Sequence, residues 1–379
     1  MFNDHHVSIS YTAENFFLVQ LNVEFLVMTE SVRVLELFSG IGGMRCGLTE
    51  GLGPSVQCSF ISVDMNEFCN EVYRSSFGDK PLNRDICSIP LGWFAKLAAS
   101  IWTMSPPCQP YTRQGNQEDA DDDRAKPLTY ITHEILAKLK NLPKHIIVEN
   151  VKNFELSVSY RQLVSVLSSR GYSMRGYLLN PLYMGFPNSR LRFFLAATWT
   201  GRGNSSVPIL SNDPIQCSEY SQIATPVALT RTIGDFLCTN HTHGAFGVPR
   251  SILEKKAAFC FDVVSAKSRQ CLCFTRAYTK YIDGTGSVLL GEEFVDCYVD
   301  DMDRPILKNL TSMSELDGKI RYFCPAEAAR LNGFSVNGIS GKSLALPTDC
   351  SGGKKFYRAV GNSLNPIVVA FIVRELGIC

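Results

Sequence analysis

None of the 14 cysteines forms a Cys-x-x-Cys pair, and the closest two, Cys271 and Cys273, lie two positions apart. Histidine is scarce, and His241 and His243 have no paired cysteine at ligand spacing. That argues against a structural zinc site, and no metal is expected. No secretory signal is visible either. Phe16 to Val27 is fairly apolar, but Glu24 interrupts it, no Lys or Arg precedes it, and it is too short to span a bilayer. The cysteines therefore read as reduced intracellular thiols, most of them small buried side chains, and not as a disulfide framework. No membrane partner is expected. Net charge is nearly absent: 37 Lys and Arg against 36 Asp and Glu leave +1. Such a chain is not a non-specific electrostatic binder of nucleic acid, so any nucleic-acid site must be a local basic face. Internal repeats and long low-complexity tracts are also missing.

What is present is ordinary for a soluble enzyme: 45% hydrophobic and 19% charged residues in a chain of 379. That length suits two domains, or one domain carrying an insertion. Strong patterning begins just after Met28, so residues 1–31 are expected to be a disordered extension, with Met28 the working start. From Val32 strands and helices alternate. Val32 to Phe38, Gln57 to Val63, Ile101 to Met104, His145 to Val148 and Leu191 to Ala197 read as strands. Helical spacing falls on the segment before Leu52, on Asn66 to Phe77, Leu128 to Leu139 and Tyr160 to Arg170. This alternation predicts a parallel sheet with helices on both faces, and in such sheets ligands sit at the carboxyl ends of the strands. Gly40, Asp64, Cys108 and Glu149 each follow a strand. Residues 32–200 are expected to form the first domain and 201–349 a smaller second one. Residues 350–379, with an apolar helix from Asn362 to Leu376, should return to the first.

Phe38-Ser39-Gly40-Ile41-Gly42-Gly43 follows a strand and opens a helix. Glycines there let a backbone approach a ligand, and the helix start favours an anionic group. The spacing is not that of a dinucleotide fingerprint, and a plain glycine turn reads as well. Asp64, ending the next strand, suits two ribose hydroxyls. Asp85 is a third candidate, with a simple loop acid as its alternative. Ser105-Pro106-Pro107-Cys108-Gln109-Pro110 holds one cysteine rigidly at a strand end. Rigid placement suits a nucleophile, whose attack needs near-contact geometry. A structural cysteine in a proline turn is an equal reading at this point. Glu149 would bring a carboxyl group nearby, and Arg190 and Arg192, two apart on a strand, would share a face. The alternative for the arginines is a solvated strand edge.

In chain order, Leu37-Phe38-Ser39-Gly40-Ile41-Gly42-Gly43, Asp64, Asp85, Pro106-Pro107-Cys108-Gln109, Glu149-Asn150-Val151, Arg190-Leu191-Arg192 and Gly361-Asn362-Ser363-Leu364 resemble the motifs of the cytosine-C5 methyltransferases. The resemblance runs from about residue 32 to the C-terminus. It implies a Rossmann-like α/β fold dependent on S-adenosylmethionine, with a smaller inserted target-recognition domain and no metal. It also implies roles. Cys108 would add to C6 of cytosine, Glu149 would hydrogen-bond the ring, and Arg192 with Arg190 would contact the base carbonyl or favour the thiolate. Phe38 would pack on the adenine, Asp64 beside Met65 would hold the ribose, and Asp85 with Ile86 would read the adenine edge. Gly40, Gly42, Gly43 and Pro106 would shape the cofactor site, and Asn362 and Ser363 would line its methionine end.

Cys273-Phe274-Thr275, followed by Tyr278, Tyr281 and Gly284-Thr285-Gly286-Ser287, resembles one eukaryotic branch of that family. The branch is historically classed with DNA methyltransferases but acts on the anticodon loop of aspartate tRNA. The substrate this implies is tRNA, with weak DNA binding in second place. A loop cytosine is already partly unstacked, so extruding it costs less than from a duplex. Cys273, Phe274, Thr275, Tyr278 and Tyr281 become candidate substrate residues, with Arg124; the two tyrosines read equally well as core aromatics. Glu118 to Asp123 holds five acids in six residues just after the nucleophile loop. It is expected to be a mobile, solvated loop. A DNA methyltransferase and a non-catalytic nucleic-acid-binding relative are the competing readings. A monomer in the cytoplasm, with some nuclear presence, is expected.

Overall fold

The computed structural model describes residues 31–378, without 112–118, 205, 217–218, 224–228, 239–245, 292–297, 308–309, 337–343 and 346–352. Met28, Glu118, His241 and His243, and all of the expected extension but its last residue, therefore lie outside the described residues.

Eight strands form one large sheet. In chain order they are β1 (Val32–Leu37), β2 (Cys58–Val63), β3 (Ile101–Met104), β4 (His145–Val151), β5 (Tyr172–Leu179), β6 (Arg192–Trp199), β7 (Ile209–Ser211) and β8 (Ser221–Gln222). They lie side by side as β2-β1-β3-β4-β6-β5-β7-β8. β1, β2, β3 and β4 pair in parallel. Their apolar runs are nearly continuous because helices cover both faces of the sheet. Val34, Leu35 and Leu37 of β1 are fully buried, as are Ile146 and Ile147 of β4.

The sheet is not wholly parallel, which corrects the sequence expectation. β6 runs antiparallel to both neighbours, β4 and β5. β5 is also a strand the sequence reading passed over. Between Leu179 and Arg192 the chain has only a short turn of helix at Pro181–Met184 and a two-residue strand, Asn188–Ser189. Without a helical crossover, successive strands must reverse direction. The sheet also continues past the expected boundary at 201, through β7 and β8.

The helices that frame the site are α1 (Gly43–Leu52), α2 (Glu67–Phe77), α3 (Leu91–Leu97), α4 (Lys126–Tyr130), α5 (Val158–Ser169), α6 (Pro325–Leu331), α7 (Gly353–Asn362) and α8 (Pro366–Glu375). The helix expected over Leu128 to Leu139 is α4 widening into a π-helical stretch, Ile131–Leu136. The expected C-terminal helix is two helices. Asn365 breaks it by accepting a hydrogen bond from the Ile367 N–H, and Pro366 follows at the first helical position. The run Gly353–Glu375 is apolar enough by composition to cross a membrane, yet 72% of its apolar window is packed inside the protein, so it serves as core.

A second core begins at Ile233 and is built on three strands: β9 (Asp262–Val264), β10 (Ser287–Leu290) and β11 (Ile320–Tyr322). β9 and β10 are parallel, and β10 and β11 antiparallel. The short strand Cys271–Leu272 of this unit pairs with Asn188–Ser189 of the first. That pairing brings Cys273 alongside Arg190, on the seam between the two units.

Candidate active site

The carboxyl ends of β1, β2, β3 and β4 open on one cavity of about 280 Å³. At one end the glycine loop leaves β1. Phe38 (φ 57°) and Gly42 (φ 86°) both have positive φ, which bends the chain sharply into α1. Asp64 stabilises that bend: one carboxylate oxygen accepts from the Gly40 N–H at 2.8 Å, the other from the Asn66 N–H at 2.8 Å. Burial raises the Asp64 carboxyl, and the backbone donors of Asn66, Gly40 and Met65 pull it back. Phe38, Gly40, Gly43, Asp64, Met65, Asp85, Ile86 and Pro106 all line the cavity, as do Asn362, the last residue of α7, and Ser363 just after it. Gly42 does not line it; it shapes the loop beneath. Ser39 is a residue that sequence reasoning missed. Its hydroxyl faces the buried loop region with no partner among the described residues, leaving a polar atom for a bound group.

At the other end lie Cys108, Glu149, Arg190 and Arg192, which also line the cavity. The proline turn carries Cys108 past the end of β3, and the Cys108 carbonyl accepts from the Tyr111 N–H at 3.0 Å. Asn150 ties the two strand ends together, its side-chain amide donating to the Pro106 carbonyl at 3.3 Å. The motif contained Asn150, but only tertiary contact shows this role. Arg192 Nε stands 3.7 Å from Glu149 Oε1. Burial raises the Glu149 carboxyl, with Arg192 and then Arg190 opposing. Burial also raises the Cys108 thiol, Glu149 adds to that, and the two arginines oppose it.

Arg190 reaches furthest. Its guanidinium donates to Cys273 Sγ at 2.9 Å, to the Phe274 carbonyl and the Gly361 carbonyl at 3.3 Å each, and to the Ser363 carbonyl. It thereby joins the sheet, the second unit and the C-terminal helices. Gly361 permits this closeness, since a Cβ there would stand 2.2 Å from the Thr275 carbonyl carbon.

The remaining expected substrate residues are dispersed. Cys273 sits behind the arginines and does not line the cavity. Phe274 and Tyr278 are core, stacked edge-to-face on each other. The Tyr278 hydroxyl donates to the Ser287 carbonyl at 2.8 Å and accepts from the Phe323 N–H at 2.9 Å, and its ring is buried against Phe274, Tyr322 and Tyr357, the core reading of this residue. Thr275 abuts Gly361, while Tyr281 is 58% exposed. Arg124 is held away from the cavity by Asp122, its Nε donating at 2.8 Å, and this hydrogen bond holds the Asp122 carboxyl down at about 2.

The acidic run divides: Asp121 and Asp123 are exposed, as a solvated loop requires, whereas Asp122 is buried and Asp119 half-buried, which corrects the expectation for those two. Asp119 accepts from the Ser159 N–H at 3.2 Å and from the Val158 N–H, binding the loop to the start of α5. Among the described residues one group has the composition of a metal site: Cys238, Cys324 and Glu327. The Glu327 carboxylate is already occupied. It accepts from both terminal nitrogens of Arg321 at 2.7 and 2.9 Å, and from the N–H groups of Cys324 at 2.8 Å and Cys238 at 3.1 Å.

Residues 32–377 match the family model described as C-5 cytosine-specific DNA methylase. A curated tRNA (cytosine(38)-C(5))-methyltransferase from Schizosaccharomyces pombe is 33% identical over 93% of this chain and 98% of its own length. The human protein of the same description is 32% identical over 92% of this chain and 99% of its own. Among solved structures, the Entamoeba histolytica methyltransferase EhMeth superposes with a TM-score of 0.72 at 28% identity, covering 92% of this chain and 98% of that one.

Proposed function

The chain belongs to the C5-cytosine methyltransferase family, and from that premise we propose that it methylates C5 of a tRNA cytosine, the one at position 38 in the anticodon loop of aspartate tRNA, with S-adenosylmethionine as donor. The tRNA reading is supported by relatives described as tRNA (cytosine(38)-C(5))-methyltransferases that align over nearly the whole chain. One observation carries the chemistry: a cysteine on a rigid turn, a buried carboxyl and a guanidinium share a cavity with a glycine loop and Asp64. The residues fit the donor. Asp64 can accept from ribose hydroxyls, the partnerless Ser39 hydroxyl offers a further contact, and Phe38 supplies an apolar wall. When bound, S-adenosylmethionine supplies the methyl group and leaves as S-adenosylhomocysteine.

The protein's own groups perform the rest. Cys108, as thiolate, forms a bond to C6, and the displaced electron pair makes C5 nucleophilic. Glu149, whose carboxyl burial raises against the pull of the two arginines, donates its proton to N3 and so stabilises the charge that develops on the ring. Arg192 offers donors near Glu149 for the base carbonyl. Once C5 carries the methyl group its proton departs to a base, the C5–C6 double bond re-forms, the C6–S electron pair returns to Cys108, and N3 gives its proton back to Glu149. Methyl transfer from labelled S-adenosylmethionine to total tRNA and to duplex DNA, with Cys108→Ala as control, tests the proposal. Label in tRNA alone, lost in the variant, is expected. Label entering duplex DNA in preference would overturn the tRNA assignment.

A further inference from the structure

Arg190 is 3% exposed, yet among the described residues no carboxylate lies within ion-pair distance of its guanidinium. A buried cation without an anion is costly. Its side-chain donors go to three carbonyl oxygens and to one sulfur, Cys273 Sγ, at 2.9 Å. Arg192 Nη2 approaches the same sulfur at 3.9 Å. Two guanidiniums thus converge on one thiol from behind the cavity. The other acid in reach is Glu149, which contacts Arg192 at 3.7 Å and which the chemistry requires in its neutral form.

We propose that Cys273 is a thiolate in the folded protein and acts as the counter-ion of Arg190 and Arg192, a positioning residue that holds the arginine pair and spares Glu149 from ionising. Its catalytic consequence rests on the methyltransferase reading; its charge state does not. The surroundings agree. Burial pushes the Cys273 thiol up, but Arg190 and Arg192 outweigh it and bring it below the ordinary thiol value. Cys271, two residues earlier and fully buried without an arginine, is pushed up strongly, and so are Cys46 and Cys69. Cys87, Cys108 and Cys324 are raised as well. The charged and titratable groups around Cys273 are Arg190 before β6, Arg192 on β6 and the neighbouring Cys271 thiol, with Glu149 on β4 beyond the arginines.

The test begins with the ultraviolet thiolate absorbance of the full chain, titrated from acid to alkaline pH in the native and the urea-unfolded states. One thiolate per native chain is expected to ionise below the range in which the unfolded chain's thiols do, and Cys273→Ser should remove that step. Native ionisation confined to the ordinary thiol range would overturn the proposal without any reference to activity. Turnover on tRNA then separates charge from shape. Cys273→Ser should lower kcat at least tenfold with little change in KM for S-adenosylmethionine, and Cys273→Asp should recover more of it than Ser. Serine equal to wild type would sink the positioning role. If Ser fails to fold and Asp folds, the anion is supported, and the wild-type titration decides if neither folds. A wild type that shows the early thiolate but methylates neither tRNA nor DNA would refute the proposed function and leave the counter-ion standing.

Discussion

At the scale of single residues the site is a problem of opposed proton demands. The proposed chemistry requires Cys108 to lose a proton and Glu149 to keep one, and burial raises both. Wherever Glu149 is ionised, its negative charge also holds the Cys108 thiol up. Replacing Glu149 by Gln removes that charge, so Cys108 should ionise at lower pH. The rate of Cys108 alkylation against pH, followed peptide by peptide, should shift toward acid in Glu149→Gln. An unmoved profile would mean the two groups do not interact. Methyl transfer in the same variant should fall by about 10²-fold or more, because an amide cannot transfer a proton to the ring. Such pairing was only half legible in the residues. Their types and order pointed to nucleophile and acid, but the 3.7 Å approach of Arg192 to Glu149 exists only because β4 and β6 are neighbours in antiparallel register.

At the scale of elements, short polar contacts set where the loops lie. Ser157 caps α5 by accepting from the Tyr160 N–H, and Asp119 covers the N–H groups of Val158 and Ser159. Together they satisfy amides that have no partner within the helix, and an anion there also favours the helix dipole. Asp119→Ala should cost about 1 kcal/mol, read from urea midpoints. It should also make the segment after Cys108 more sensitive to limited proteolysis. Equal midpoints and equal cleavage would show the contact to be idle. A charge count alone made this acidic stretch look solvated, since a sequence does not say which acids meet a helix start. The tie between α7 and the second unit behaves likewise. Gly361→Ala would force α7 away from Thr275 and disturb the carbonyl that Arg190 binds, so S-adenosylmethionine affinity and turnover should both fall. Isothermal titration and kinetics check this.

Across the whole molecule, one buried carboxyl that does not line the cavity adds its own component to how stability varies with pH. Glu36 on β1 is fully buried and accepts from Tyr73 Oη at 2.7 Å and from the Arg45 N–H at 3.2 Å. Burial, opposed by those donors, raises its pKa from 4.5 to about 7. A raised carboxyl ionises first in the unfolded chain, so the Glu36 contribution to stability is full below about pH 4.5, declines as pH rises to about 7, then levels off. The loss is on the order of 3 kcal/mol by the pKa difference. Glu36→Gln should remove that component, so that between about pH 4.5 and pH 7 the urea midpoint falls less, or rises more, than in wild type. Identical slopes would contradict it. The interior of the second unit holds the other such property. Arg321 and Glu327 form a buried ion pair, 5% and 0% exposed, at the start of α6. Glu327→Ala leaves that guanidinium unpaired and should cost about 3–5 kcal/mol, read by thermal or urea unfolding.

By itself the sequence determined the alternation that builds the sheet, the strand ends that carry Gly40, Asp64, Cys108 and Glu149, and the family. Those signals are local, since glycines, prolines and apolar periodicity act on the backbone within a few residues. It did not determine the direction of β6, the existence of β5, the break at Asn365, or which acids of the run would cap α5. Nor could it reveal that Cys273, assigned to the substrate by its motif, lies behind the arginines. These depend on which elements meet, and contacts such as that between Arg190 and Gly361, 171 residues apart, are set by packing in three dimensions.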